Sequence, residues 1–295
     1  MGNESTVELT QEQIQKLLQG ISIPPQPQIM VDLQMEQMMP GCSLQNIAKL
    51  ISQDVGLAGS ILKTVNSPFY GLSNKITSIS QAVSLLGSKT VINLVNAQSI
   101  RGELSDNEIV ALGRFWDSAM EIAMTANVIA KQIGFPAPDE AYTLGLFHNC
   151  GIPLLMMRFP NYPDVMIEAY SRTNERIVDI ENAMINTNHA VVGYYVGKSW
   201  NLPAYLCEAI HEHHTLEKFS SNDTVNAHKK TLLAILKMAE HICGNFRIIG
   251  KQDEDHEWER IAADILLYIG MSQYDFETLC SKIYEMGLGS NDYYF

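Results

Sequence analysis

The chain has 295 residues, 46% of them hydrophobic, which is enough for at least one sizeable core and, at about 150 residues per domain, for roughly two domains. Twenty basic residues against thirty-three acidic leave a formal net charge of −13, which argues against DNA or an anionic membrane surface as a partner, because phosphate binding needs clustered Lys and Arg. No apolar run approaches the ~18 residues of a membrane-spanning helix, the N-terminus lacks the basic-then-apolar layout of a signal peptide, and five cysteines with no C-x-x-C pair predict reduced thiols in a cytoplasmic protein.

Helical period recurs along nearly the whole chain, without convincing strand alternation, and predicts an all-α fold. Thr10 with Gln13 makes a capping-box pattern for a first helix that ends near Gly20. The stiff Pro24-Pro25-Gln26-Pro27 leads into a second helix from Gln28 to Met39, stopped by Pro40-Gly41. Its methionines Met30, Met35, Met38 and Met39 read as core or adaptable interface filling. Ser43 caps a third helix carrying Leu44, Ile47, Ala48 and Ile51. A fourth carries Leu57, Ile61 and Val65 and ends before Pro68. Ser78 with Gln81 repeats the capping box, and Gly87 closes that helix. The polar break from Arg101 to Asn107 marks a domain boundary. Beyond it Phe115, Ala119, Ile122, Ala126, Ile129 and Ile133 form a regular buried stripe, ended by Gly134, Pro136 and Pro138. Further helices are expected over residues 139–149, 163–172, 174–186, 188–199, 203–213, 227–244, 255–269 and 273–286. The acidic stretch Asp253 to Glu259 is most simply a solvated helix start, since acids favour that end of the dipole. The tail Asp292-Tyr293-Tyr294-Phe295 could dock on a second copy or another partner, a packed or disordered tail being the simpler reading.

The functional signal is a set of polar residues on faces that ought to be apolar. His148 shares a face with Ala141, Leu144 and Gly145; His189 with Val192, Gly193 and Val196; His213 with Leu206, Ala209 and Ile210. His214 comes directly after, and Glu240 lies on the stripe of Leu233, Leu236 and Cys243. A buried carboxylate costs several kcal/mol unless paired or coordinated, so these residues point to a metal site or to a hydrogen-bonded polar cluster. Each also has an ordinary reading: a satisfied core histidine, or a Glu240–Lys237 pair at a surface. His211, His228 and His256 sit in polar surroundings and read as exposed. There is no G-x-G-x-x-G, Walker loop, G-x-S-x-G elbow or H-E-x-x-H motif.

Four segments of the first half are Ile23-Pro24-Pro25-Gln26-Pro27, Ser52-Gln53-Asp54-Val55-Gly56-Leu57, Val65-Asn66-Ser67-Pro68-Phe69-Tyr70-Gly71 and Ile79-Ser80-Gln81-Ala82-Val83-Ser84-Leu85-Leu86-Gly87. In the second half stand Gly145-Leu146-Phe147-His148-Asn149-Cys150-Gly151, His189-Ala190-Val191-Val192-Gly193, Trp200-Asn201-Leu202-Pro203 and His213-His214. In this order they resemble the HDOD domain over residues 20 to 245. The resemblance implies an all-α fold, with a small N-terminal helical lobe (residues 1–105) packed on a lobe like that of the HD phosphohydrolases (residues 106–295, with a C-terminal extension).

HD hydrolases hold one or two metals with a first His, a His-Asp doublet and a distant Asp. The resemblance places the first His at Asp117, the doublet at His148-Asn149 and the distant Asp at Glu240. Asn149 brings an amide where a bridging carboxylate would stand, and so no charge to offset a metal. Two readings are open. One is a non-catalytic regulatory protein of bacterial signalling, whose degenerate pocket (Asp117, His148, Asn149, Glu240) or helical surfaces bind a protein partner, a small ligand or a nucleotide; a homodimer is compatible with it. The other is a divergent phosphohydrolase, with His148, His189, His213, His214, Asp117 and Glu240 as ligands of iron, manganese or zinc that activates a water.

Overall fold

Helices are what the described residues of this computed structural model form, with no strand among them. The structure describes residues 11–23, 26–53, 55–67, 70–72, 75–102, 113–215 and 227–289. The N-terminal set is α1 (Gln11–Leu17), α2 (Gln28–Met38), α3 (Leu44–Ser52), α4 (Val55–Val65) and α5 (Ile79–Gly102). The expected stop at Gly87 is a kink inside α5, where φ is 79°, a backbone setting glycine takes without a Cβ clash. Ser43 Oγ accepts from Asn46 N at 3.1 Å, and Ser78 Oγ from Gln81 N at 3.2 Å, as the caps require. The expected Thr10 cap, the polar break at 103–107 and the tail at 290–295 fall outside the described residues.

Helices α2 to α5 pack around Leu33, Ile47, Ile51, Ile61 and Val83. Of the α2 methionines only Met30 joins this core; Met35 and Met38, with Met39 just beyond the helix, are exposed. Asn66 pins the loop ahead of α5: its Nδ2 donates to the Ile76 carbonyl at 2.8 Å, and its Oδ1 accepts from Ile76 N at 2.7 Å.

The remaining helices are α6 (Gly113–Gln132), α7 (Pro138–Phe147), α8 (Gly151–Arg158), α9 (Tyr162–Ser171), α10 (Ile177–Ile185), α11 (His189–Ser199), α12 (Ala204–Glu212), α13 (Ala227–Cys243), α14 (Asn245–Ile248), α15 (His256–Ile269) and α16 (Gln273–Glu285). The stripe Phe115, Ala119, Ile122, Ala126 and Ile129 is buried along α6. Helix α13 is the axis of this part: it packs against α6, α7, α12 and α15, and its residues from Leu232 to Glu240 are buried on every side. A helix enclosed all round needs apolar residues all round, so any polar side chain on it requires a partner.

Helix α8 is absent from the sequence expectation because Pro153 interrupts its apolar run. Pro153 stands in the first turn, where its missing N–H has no intrahelical acceptor to lose. Two close crossings fix how the helices around His148 and His189 meet. A Cβ on Gly145 would stand 2.8 Å from Ala123 Cα, and one on Gly151 would stand 2.2 Å from the His189 carbonyl oxygen. Helices α6 and α7, and α8 and α11, therefore meet backbone to backbone. The N-terminal set joins this part where α5 meets α7 and where Arg158 Nε donates to the Gln19 carbonyl at 3.0 Å. No described helix is long and apolar enough to cross a membrane.

Candidate metal centre

Four histidines arrive at one place from three helix ends. His148 closes α7, His189 opens α11, and His213-His214 come just after α12. Each imidazole is 0–1% exposed. Each Nδ1 is engaged: His148 with the Gly145 carbonyl at 2.7 Å, His189 with Glu181 Oε2 at 2.6 Å, His213 with the Ile210 carbonyl at 2.6 Å, His214 with Glu257 Oε1 at 2.6 Å. A backbone carbonyl or a carboxylate only accepts, so each Nδ1 carries a proton, and in a neutral imidazole the Nε2 lone pair is then the one free to accept or to ligate.

These lone pairs converge. His189 Nε2 lies 3.2 Å from His213 Nε2 and 3.0 Å from His214 Nε2. Acceptors that close in a low-dielectric core repel one another unless a cation lies among them. Two nitrogens bound to one zinc at about 2.0–2.1 Å and a tetrahedral angle stand roughly 3.3 Å apart, so the spacing fits a metal. The outer Nδ1 bonds to carboxylate and carbonyl are those that orient metal-binding imidazoles. The buried Nε2 of His148 has no hydrogen-bond partner and faces Glu240 Oε1 at 3.3 Å.

An acidic side faces the imidazoles. Glu181 Oε1 accepts from the Tyr162 hydroxyl at 2.5 Å and from His189 N at 3.0 Å. Lys237 donates to Glu257 Oε2 at 2.8 Å and lies 2.8 Å from Glu240 Oε2. Glu240 Oε1 accepts from Asn245 Nδ2 at 3.2 Å, and Asn245 Oδ1 accepts from the Ser118 hydroxyl. Burial pushes the Glu240 carboxyl up, but the Lys237 ammonium beside it outweighs this and holds Glu240 well below the usual range. Burial lowers Lys237, yet the charges of Glu240 and Glu257 leave it above its ordinary value. Burial, reinforced by the Glu240 charge, raises Glu257 although Lys237 opposes it. Burial first, then neighbouring cations, holds His213 and His214 well below the ordinary histidine value. Glu181, Glu240 and Glu257 set three carboxyls against the one ammonium of Lys237, an excess of acid that suits a divalent cation.

The structure brings together five of the residues singled out in the sequence: His148, His189, His213, His214 and Glu240. It does not bring Asp117, which is exposed on α6; Ser118, one residue on, is the buried position that reaches Asn245. One helical residue is a turn of about 100°, enough to carry a side chain from the core to solvent. Asn149 is buried beside His148, its Oδ1 without a hydrogen-bond partner. The Glu240–Lys237 pair, which one ordinary reading set at a surface, forms in the interior. The acidic stretch is only partly a solvated helix start: Asp255 caps α15 by accepting from Trp258 N at 3.0 Å, whereas Glu257 turns inward. His228 is half-buried against Phe135 and paired with Glu140, not exposed. Beside the centre lies a cavity of about 10 Å³ lined by Lys237, Glu240, Asn245 and Glu257, room for about one water.

A family model described as the HDOD domain matches residues 23–216. An uncharacterized protein of Treponema pallidum (strain Nichols) is 29% identical over 195 residues, 66% of this chain. The matched stretch is only 38% of that relative's own length. Among solved structures, an HDOD domain protein of unknown function from Geobacter sulfurreducens covers 92% of this chain and 92% of its own, with a TM-score of 0.69 and 21% identity. A protein of Shewanella amazonensis SB2B, named only provisionally as a phosphohydrolase, covers 92% and 94%, with a TM-score of 0.65 and 23% identity. At these identities the likeness establishes the all-helical fold.

Proposed function

The chain belongs to the HDOD family, and from that premise we propose that it is a non-catalytic regulatory module of bacterial signalling with an internal metal centre. His189, His213 and His214 hold one divalent transition ion (iron, manganese or zinc), with His148 and Glu240 alongside. Such an ion supplies two positive charges and Lewis acidity. The chain's own residues keep that acidity from a substrate. The carrying observation is burial: none of the four imidazoles is more than 1% exposed. Asn149 in place of a bridging carboxylate supports the same reading. With the centre enclosed, recognition falls to the outer surface, and a protein partner is favoured over a small ligand or nucleotide.

The alternative, a divergent phosphohydrolase, rests on the converging Nε2 atoms and on the name given to the Shewanella neighbour. One experiment separates the two. Protein purified without a metal-affinity tag is assayed for metal and for phosphoesterase turnover, beside His148→Ala and His213→Ala. The expected result is about one ion per chain, lost in His213→Ala, and no turnover. Robust turnover that disappears in His148→Ala would establish the hydrolase.

A further inference from the structure

Lys237 lies where a second cation would lie. Its ammonium is buried, 2.8 Å from Glu240 Oε2 and 2.8 Å from Glu257 Oε2. Each acid turns its other oxygen to a histidine: Glu240 Oε1 to His148 Nε2 at 3.3 Å, Glu257 Oε1 to His214 Nδ1 at 2.6 Å. A positive point between two carboxylates that each continue to an imidazole has the surroundings of a bridging ion. His148 gives an independent sign. Its Nε2 is buried, lacks a hydrogen-bond partner and is aimed at this acidic side. An apolar core residue would not leave such a lone pair; a ligand short of its ion would.

We propose that Lys237 fills a second cation site formed by Glu240, Glu257 and His148, and so limits the centre to a single metal ion. The inference rests on the reading of His189, His213 and His214 as holder of the first ion. Lysine suits the place because its ammonium is a compact point charge on a long stem. It comes from α13 itself, three residues before Glu240, so the cation is present whenever the helix is folded. It also sets the charge balance. With Lys237 present, a second divalent ion would have to enter against a fixed ammonium already seated between Glu240 and Glu257. Without Lys237, two carboxylates and an imidazole face a space enlarged by the lysine stem. Those donors suit manganese(II) or zinc(II).

The test is a manganese(II) titration of the full chain after chelator treatment, wild type against Lys237→Ala. Bound ions are counted by elemental analysis after desalting, and their spacing is read by electron paramagnetic resonance. One ion per chain with an isolated-ion spectrum is expected for wild type. Two ions with a spin-coupled spectrum are expected for the variant. A second ion in wild type, or an unchanged single ion in a folded variant, overturns the proposal. No ion in wild type with one in the variant would sink the first-ion reading and the single-ion limit with it, while still supporting Lys237 as occupant of a cation site; none in either would end both. Circular dichroism checks folding. If Lys237→Ala does not fold, Lys237→Gln keeps most of the stem without the charge, and two ions are again expected.

Discussion

A polar residue on an apolar stripe is a detectable anomaly, and His148, His189, His213 and Glu240 are legible in the sequence for that reason. Glu181 is not among them, although the same rule applied to its place four residues after the buried Ile177 would find it. Glu257 escapes that rule because an acid in the first turn of a helix already has a sufficient explanation in the dipole. Asp117, placed by the resemblance, is exposed on α6: a family match along a helix does not by itself say which face a residue takes. Protonation at this scale gives a prediction. His213 and His214 are held below the unfolded histidine pKa of about 6.5, so beneath that pH the unfolded chain binds protons that the native chain refuses. Stability is therefore intact above pH 6.5 and falls below it, by up to about 1.4 kcal/mol per pH unit for each histidine. Glu257, its carboxyl raised by burial, works in the opposite sense but is one group against two. Urea midpoints of chelator-stripped protein should be level from pH 7.5 to 6.5 and drop towards 5.5; a level midpoint throughout would show that the imidazoles titrate normally.

Most helices fall within two or three residues of their expected bounds, because caps such as Ser43 and Ser78 and stripes such as that of α6 are local signals. Packing between helices is not local. Nothing in the residues before Gly151 announces that its Cα lies against the His189 carbonyl, yet that contact sets where the first imidazole of α11 stands. Gly151→Ala puts a methyl 2.2 Å from that oxygen, and backbone cannot swing aside as a side chain does. The expected cost is about 1–3 kcal/mol, together with weaker metal retention, because separating α8 from α11 moves His189 away from His213. Gly134→Ala, at a turn with φ of 72°, is a useful control. It is strained locally but lies outside the centre, so it should lower stability without changing metal content. Equal metal loss in both variants would mean that destabilisation alone releases the ion.

For the molecule as a whole, the division into residues 1–105 and 106–295 is a proposal that calorimetry can read. Two lobes give two transitions, and only the one belonging to the metal centre should move on loading. Metal at about a hundred times its Kd stabilises the native state by about 2.7 kcal/mol, which for a domain of 150–250 residues is roughly 5–10 °C in Tm. No shift in either transition would remove the buried ion from the account. The centre also has an order in time. His148 stands at the end of α7 and Glu257 on α15, with the helices from α8 to α14 made before Glu257 appears. At about 5–20 residues per second, ribosomal synthesis delivers Glu257 roughly 5 to 20 seconds after His148. Until then the histidines already made lack both their last acid and the helix that covers them, so under the proposed metal reading any ion they meet is met before the site is enclosed.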